Sequence, residues 1–127
     1  MALSREFADH LRDLFGALGP VETRRMFGGA GVYLDDAMFA LVIDDTLYMK
    51  ADPDLARTYA EAGSAPFSYD TRNGVRTIPG LMRLPDSALD DPDEALDWAR
   101  RSLVPAELAA AKKRAAKDRK AAREQRR

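Results

Sequence analysis

Apolar residues recur at spacings of three and four at the start of the chain, where Phe7, Leu11, Leu14, Phe15 and Leu18 share one helical face behind Ser4, a good N-cap. The pattern predicts an amphipathic helix over residues 4–18, ended by Gly19-Pro20. Val21–Met26 reads as a short strand, and after Gly31 the period changes to two. Asp35-Asp36 and Asp44-Asp45 punctuate that alternation, each with room for a two-residue turn, so Ala30–Leu34, Met38–Ile43 and Thr46–Ala51 are predicted to form a meander. Asp-Asp is weaker turn chemistry than Asp-Gly because neither residue takes positive φ without cost, and longer turns are the alternative.

With two-residue turns, Ile43 faces Thr46, Leu41 faces Tyr48 and Val32 faces Phe39 on one side of the sheet. The other side then shows Tyr33, Met38, Ala40, Val42, Leu47 and Met49. A solvated face should alternate into charge, and neither face does. The second face therefore needs cover from helices or from another subunit, which makes Tyr33, Met38, Val42, Leu47 and Met49 candidate interface residues for a protein partner or a homodimer.

Asp52-Pro53 opens a second helix that runs to about Ala62 and stops at Gly63. PFSYD and GVRTIPGLM, joined through Thr71-Arg72-Asn73-Gly74, read as a hairpin whose second strand is shortened, or placed at an edge, by Pro79-Gly80. A third helix is predicted from about Pro92 to Leu103, with Asp91 as N-cap and Leu96 and Trp98 among its buried residues. The expected fold is α+β: an antiparallel sheet, meander plus hairpin, packed by helices in the order α-β(3-4)-α-β(2)-α with a basic helical tail.

At 127 residues, 46% hydrophobic and 32% charged, the chain has the composition of one globular domain. It has no cysteine, which excludes disulfides, thiolate zinc sites and cysteine nucleophiles. No apolar run approaches the roughly 20 residues of a membrane span, and a cytoplasmic location is expected. The formal net charge of −1 hides an asymmetry: residues 1–104 carry 11 basic and 18 acidic side chains, net −7, while residues 105–127 carry 9 and 3, net +6. An acidic domain over 1–104 and a basic tail over 105–127 are expected. On a helical wheel Lys112, Lys113, Lys117, Arg119, Lys120, Arg123, Arg126 and Arg127 fall on one side and Arg114 lies off it. That arrangement suits a helix laid along phosphates, so these eight residues are candidate DNA contacts. The tail shows no apolar stripe with which to dock on the core or enter a membrane, and its plainer reading is a solvated, fraying helix.

Other chemistry is sparse. Gly28-Gly29-Ala30-Gly31 is followed by a strand, not by the helix that phosphate-binding glycine loops require, so the cluster is expected at a turn or bulge where two backbones cross. His10, the single histidine, sits at the margin of an apolar face and reads as packing. The acidic pairs Asp35-Asp36, Asp44-Asp45 and Asp90-Asp91 lack calcium-loop spacing and suit turns and caps. Tyr33, Tyr48 and Tyr69 with Phe39 and Phe67 suggest a base-stacking platform, but the sheet region supplies mainly Lys50 as its cation, and core packing accounts for them better. No catalytic, cofactor or metal residue is assigned. An enzyme would have to assemble scattered carboxylates with Arg24, Arg25 and Arg76.

Arg25-Met26-Phe27-Gly28-Gly29, Gly31, Tyr33, Met38-Phe39-Ala40-Leu41 and Leu47-Tyr48-x-Lys50-x-Asp52 resemble, in that order, the N-terminal domain of the TfoX/Sxy family. Pro66-Phe67-x-Tyr69, Leu84-Pro85, Leu89-Asp90-Asp91-Pro92 and Trp98 continue the likeness over roughly residues 7 to 103. The resemblance implies a small α+β domain of proteins linked to competence and DNA transformation. Full-length members regulate transcription with the cAMP receptor protein and carry a C-terminal helical domain; this sequence resembles the N-terminal domain standing alone. Gly80-Leu81-Met82-Arg83 departs from the tyrosine-rich strand end usual in the family. The resemblance implies no catalytic residues and no cofactor. It points instead to a non-enzymatic regulatory or interaction domain, with a self-associating structural domain as the alternative.

Overall fold

The structure, a computed structural model, describes residues 4–26 and 28–126. Helix α1 spans Arg5–Leu14 and buries Ala8, Leu11 and Leu14, with the Ser4 hydroxyl accepting the Phe7 amide at 3.0 Å. It tightens into a 3₁₀ turn over Gly16–Leu18, where the Leu18 amide reaches the Phe15 carbonyl at 2.9 Å. Six strands follow: β1 (Val21–Met26), β2 (Gly29–Leu34), β3 (Ala37–Ile43), β4 (Thr46–Lys50), then after helix α2 (Pro53–Glu61), β5 (Pro66–Thr71) and β6 (Gly74–Arg83). They form one antiparallel sheet in the order β1-β2-β3-β4-β6-β5. Helix α3 (Pro92–Gln125) closes the chain.

Both Asp-Asp pairs make two-residue turns. Asp35, Asp44 and Asp45 take φ of 55°, 50° and 57°, a region that aspartate tolerates better than most residues. Ile43 pairs with Thr46 and Leu41 with Tyr48, as the turn length dictates. The β2–β3 register does not follow the same rule, because an irregularity next to Val32 and Tyr33 pairs Val32 with Ala40 instead of Phe39. The extra residue changes which side chains share a face. Val32, Ala40, Val42, Leu47 and Met49 face inward with Phe39, whose ring meets Phe15 edge-on at 5.3 Å. Tyr33, Met38, Leu41, Ile43 and Tyr48 share the opposite, outer face.

Two further expectations change. Pro79-Gly80 neither shortens β6 nor puts it at an edge: β6 has ten residues and pairs with β4 on one side and β5 on the other. Pro79 falls where β5–β6 pairing jumps from Phe67↔Ile78 to Pro66↔Met82, so its missing N–H breaks no pairing there. The third helix does not stop at Leu103 but runs for 34 residues, about 51 Å at 1.5 Å per residue. Pro105 lies inside it, and Ala106 and Ala110 are buried in the core. An alanine pair at i and i+4 is enough to dock the helix, although no large apolar stripe marks it.

The three helices pack on the inner face around one core. Tyr59 of α2 is fully buried, its ring stacked on Trp98 of α3 at 4.3 Å and its hydroxyl 2.6 Å from Ser102 Oγ. Burial pushes the Tyr59 phenol well above its ordinary value of 10.0. The sign follows from linkage: the unfolded chain releases this proton near pH 10 while the folded chain retains it. The contribution is therefore fully present below about pH 10 and is lost as pH rises toward the folded value, by up to ~1.4 kcal/mol per pH unit. Urea unfolding between about pH 9 and 11 should show a steeper loss of stability for the native chain than for Tyr59→Phe; parallel curves would contradict the assignment.

Candidate nucleic-acid interface

Cross-strand register assigns the residues of the outer face. Glu22 lies opposite Tyr33, Arg24 opposite Gly31, Leu41 opposite Tyr48, Tyr48 opposite Arg83, Lys50 opposite Leu81 and Tyr69 opposite Arg76. Arg24, Lys50, Arg76 and Arg83 thus come to one face with a single strand acid, Glu22, although residues 1–104 carry net −7. The local sign is opposite to that of the body around it. Sequence reading credited this sheet mainly with Lys50, because the other three cations lie on strands whose facing was unknown until register was set. Arg24 is in a 3.7 Å pair with Glu22 and Arg83 in a 3.1 Å pair with Asp86, both well exposed and weakly held.

Aromatic rings interleave with these cations. The Arg24 guanidinium lies 4.3 Å above the Tyr33 ring. Tyr48 meets Phe67 edge-on at 5.1 Å, and Phe67 stacks on Tyr69 at 5.7 Å. Tyr69 is 42% exposed. Gly31 explains how the rim by β1 and β2 stays flat: a Cβ there would meet Tyr33 Cε1 at 2.7 Å, Met38 Sδ at 3.0 Å and Met26 Sδ at 3.1 Å. The neighbouring glycine has a different task, since a methyl on Gly29 would overlap the Val42 carbonyl oxygen where β2 and β3 pass closely. The glycine cluster serves sheet packing, with no helix N-terminus behind it to hold a phosphate.

The distal part of α3 borders this face. The buried positions Ala99, Ala106 and Ala110 continue at helical spacing into Lys113, Lys117 and Lys120, so the core-facing stripe turns basic as the helix leaves the core. Lys113 and Lys117 meet Arg24, Tyr33, Asp36 and Arg114 around a cleft of ≈ 300 Å³. Arg114, the cation off the basic side of the wheel, donates to the Asp36 carboxylate, and that hydrogen bond holds the Asp36 carboxyl below its ordinary value. Desolvation, and then the like charge of Lys113, push the Lys50 ammonium down. Lys112, Arg119, Lys120, Arg123 and Arg126 are exposed along the rest of the arm, and Arg127 lies outside the described residues.

The structure divides the expected interface set. Tyr33 and Met38 lie on the outer face, whereas Val42, Leu47 and Met49 are 3%, 2% and 0% exposed and covered by the chain's own helices. The bulge is the physical reason, because it puts Met38 and Ala40 on opposite faces. The arginines of the enzyme alternative do not converge. Arg25 points away from Arg24 toward a cleft with Arg5 and Arg12, and Arg76 is on β6 far along the sheet. His10 Nε2 donates to the Leu89 carbonyl at 3.1 Å. Among the described residues no three histidine or acidic side chains converge to hold a metal, and no helix is long and apolar enough to cross a membrane.

Over 61 residues the chain is 34% identical to the DNA transformation protein TfoX1 of Aliivibrio fischeri, a match that spans 48% of this chain and 29% of that protein. The family profile described as the TfoX N-terminal domain matches residues 13–106, which takes in the whole sheet and α3 as far as its buried Ala106. The chain belongs to the TfoX N-terminal domain family.

Proposed function

We propose that the chain is a non-enzymatic regulatory domain of the cytoplasm that engages duplex DNA through the distal arm of α3 and acts with a protein partner on competence or transcription. The observation that carries the DNA part is the arm itself. Beyond Ala110 the helix continues to Gln125, about 23 Å, with every described residue exposed and its cations mostly on one side. The Arg114–Asp36 contact ties the arm's base to the β2–β3 turn. A helix of this kind meets phosphates without having to order first, so less conformational entropy opposes binding. The family and the name of the A. fischeri relative support a link to DNA transformation.

The test compares the full chain with one ended after Ala111, which keeps the buried Ala106 and Ala110. Fluorescence anisotropy with a duplex of about 20 base pairs, from about 50 to 200 mM salt, reads both affinity and its salt slope. The full chain should show a slope of about −4, for roughly four phosphates neutralised, and the shortened chain should bind about a thousandfold more weakly. Equal, negligible binding by both removes the DNA reading.

A further inference from the structure

We propose that the outer face of the sheet is a binding surface for single-stranded DNA. The bases stack on Tyr48, Phe67 and Tyr69, and the backbone runs toward the corner where Arg24, Lys113 and Lys117 meet. This goes beyond the duplex reading and does not rest on it, because the face and the distal arm are separate surfaces that share only that corner.

The face combines two features that single-stranded nucleic acid requires together. One is a set of accessible π surfaces: the Tyr48–Phe67–Tyr69 ladder crosses from β4 over β6 to β5, with ring centroids 5.1 and 5.7 Å apart. The other is positive charge beside those rings, from Lys50 next to Tyr48 and from Arg76 opposite Tyr69. At the far side Arg24, Tyr33, Lys113 and Lys117 repeat the combination around a cleft of ≈ 300 Å³. With strands roughly 4.8 Å apart, the aromatic positions on β2, β4 and β5 span about 20 Å, a distance several extended nucleotides can cover.

Charge argues against the other occupants. A second copy seated by two-fold symmetry about the middle of the face would bring Lys50 of the interior strand β4 against the same patch on its partner, a like-charge juxtaposition. A helix of this chain already covers the inner face, not this one. Between the two aromatic groups lie Met38, Leu41 and Ile43, and apart from the Tyr48 hydroxyl, Thr46 is the one neutral hydrogen-bonding side chain of β3 and β4 on this face. Such a surface has little with which to recognise a 2′-hydroxyl, so the strand it suits is DNA, taken with little regard to sequence.

Fluorescence anisotropy on the full chain, with an oligothymidylate of about 15 nucleotides and an abasic strand of the same length and charge, tests this without altering the protein. The oligothymidylate should bind at least about tenfold more tightly, and Tyr69→Ala should weaken it by about fivefold or more while leaving duplex affinity unchanged. Equal affinity for the thymidylate and abasic strands overturns the proposal, whatever the arm does with duplex DNA. Tighter binding of oligouridylate than of oligothymidylate overturns the assignment to DNA. A micromolar dimer that Tyr69→Arg dissociates would overturn it in favour of a second copy.

Discussion

Gly29→Ala is expected to destabilise the fold by about 3 kcal/mol or more, against about 1 kcal/mol for Gly28→Ala and for Gly31→Ala. The three glycines lie within four positions, yet each meets a different neighbour. A Cβ at Gly29 runs into the carbonyl oxygen of Val42, and backbone cannot swing aside without parting β2 from β3 where their ladder begins, at Gly29↔Ile43. Gly28 has open space around it, so alanine there meets only the strain of a φ of 73°. At Gly31 the obstacles are the ends of Tyr33, Met38 and Met26, which move by rotation. Urea unfolding followed by the fluorescence of Trp98, the single tryptophan, reads all three variants. If Gly29→Ala proves no worse than Gly28→Ala, the close β2–β3 approach is not what the glycine is for.

Tyr59→Ala should cost about 4 kcal/mol, and Tyr59→Phe about 1 kcal/mol. Tyr59 is the largest fully buried side chain and the main tie between α2 and α3. Truncation removes its stack on Trp98 and leaves a cavity bounded by elements that are themselves held to the sheet, so collapse is limited. It also strips Ser102 of the hydroxyl 2.6 Å away, in a position that is 0% exposed. Phenylalanine keeps the ring and loses only the hydrogen bond, so the difference between the variants separates packing from polar satisfaction. A loss of under about 1 kcal/mol for Tyr59→Ala would mean that α2 contributes little to the cooperative unit.

How far the candidate site was legible follows from which of its parts are local. The basic side of the arm was readable because it depends only on helical period and composition, and the helix does form there. The glycine cluster was readable as a backbone crossing because the residues after it alternate. The outer-face cations were not readable as a group. Arg24, Lys50, Arg76 and Arg83 sit on three different strands, the last two near opposite ends of β6, and only pairing brings them together. Arg114 looked like the exception on the wheel, and its partner Asp36 is 78 positions away.

Local patterning was sufficient for the order of elements, the caps at Ser4, Asp52 and Asp91, and the two-residue Asp-Asp turns, since each depends on neighbours within a few residues. Tertiary structure decided the facing of the sheet and the extent of α3. One extra residue at the β2–β3 bulge sent Val42, Leu47 and Met49 inward and left Tyr33 and Met38 outside, because side chains alternate with a period of two and a single insertion exchanges the faces. The local pattern ends the third helix at about Leu103, but Ala106 and Ala110 find a surface to pack on and the helix runs through Pro105. A proline's local penalty can be outweighed by burial that no window of sequence contains.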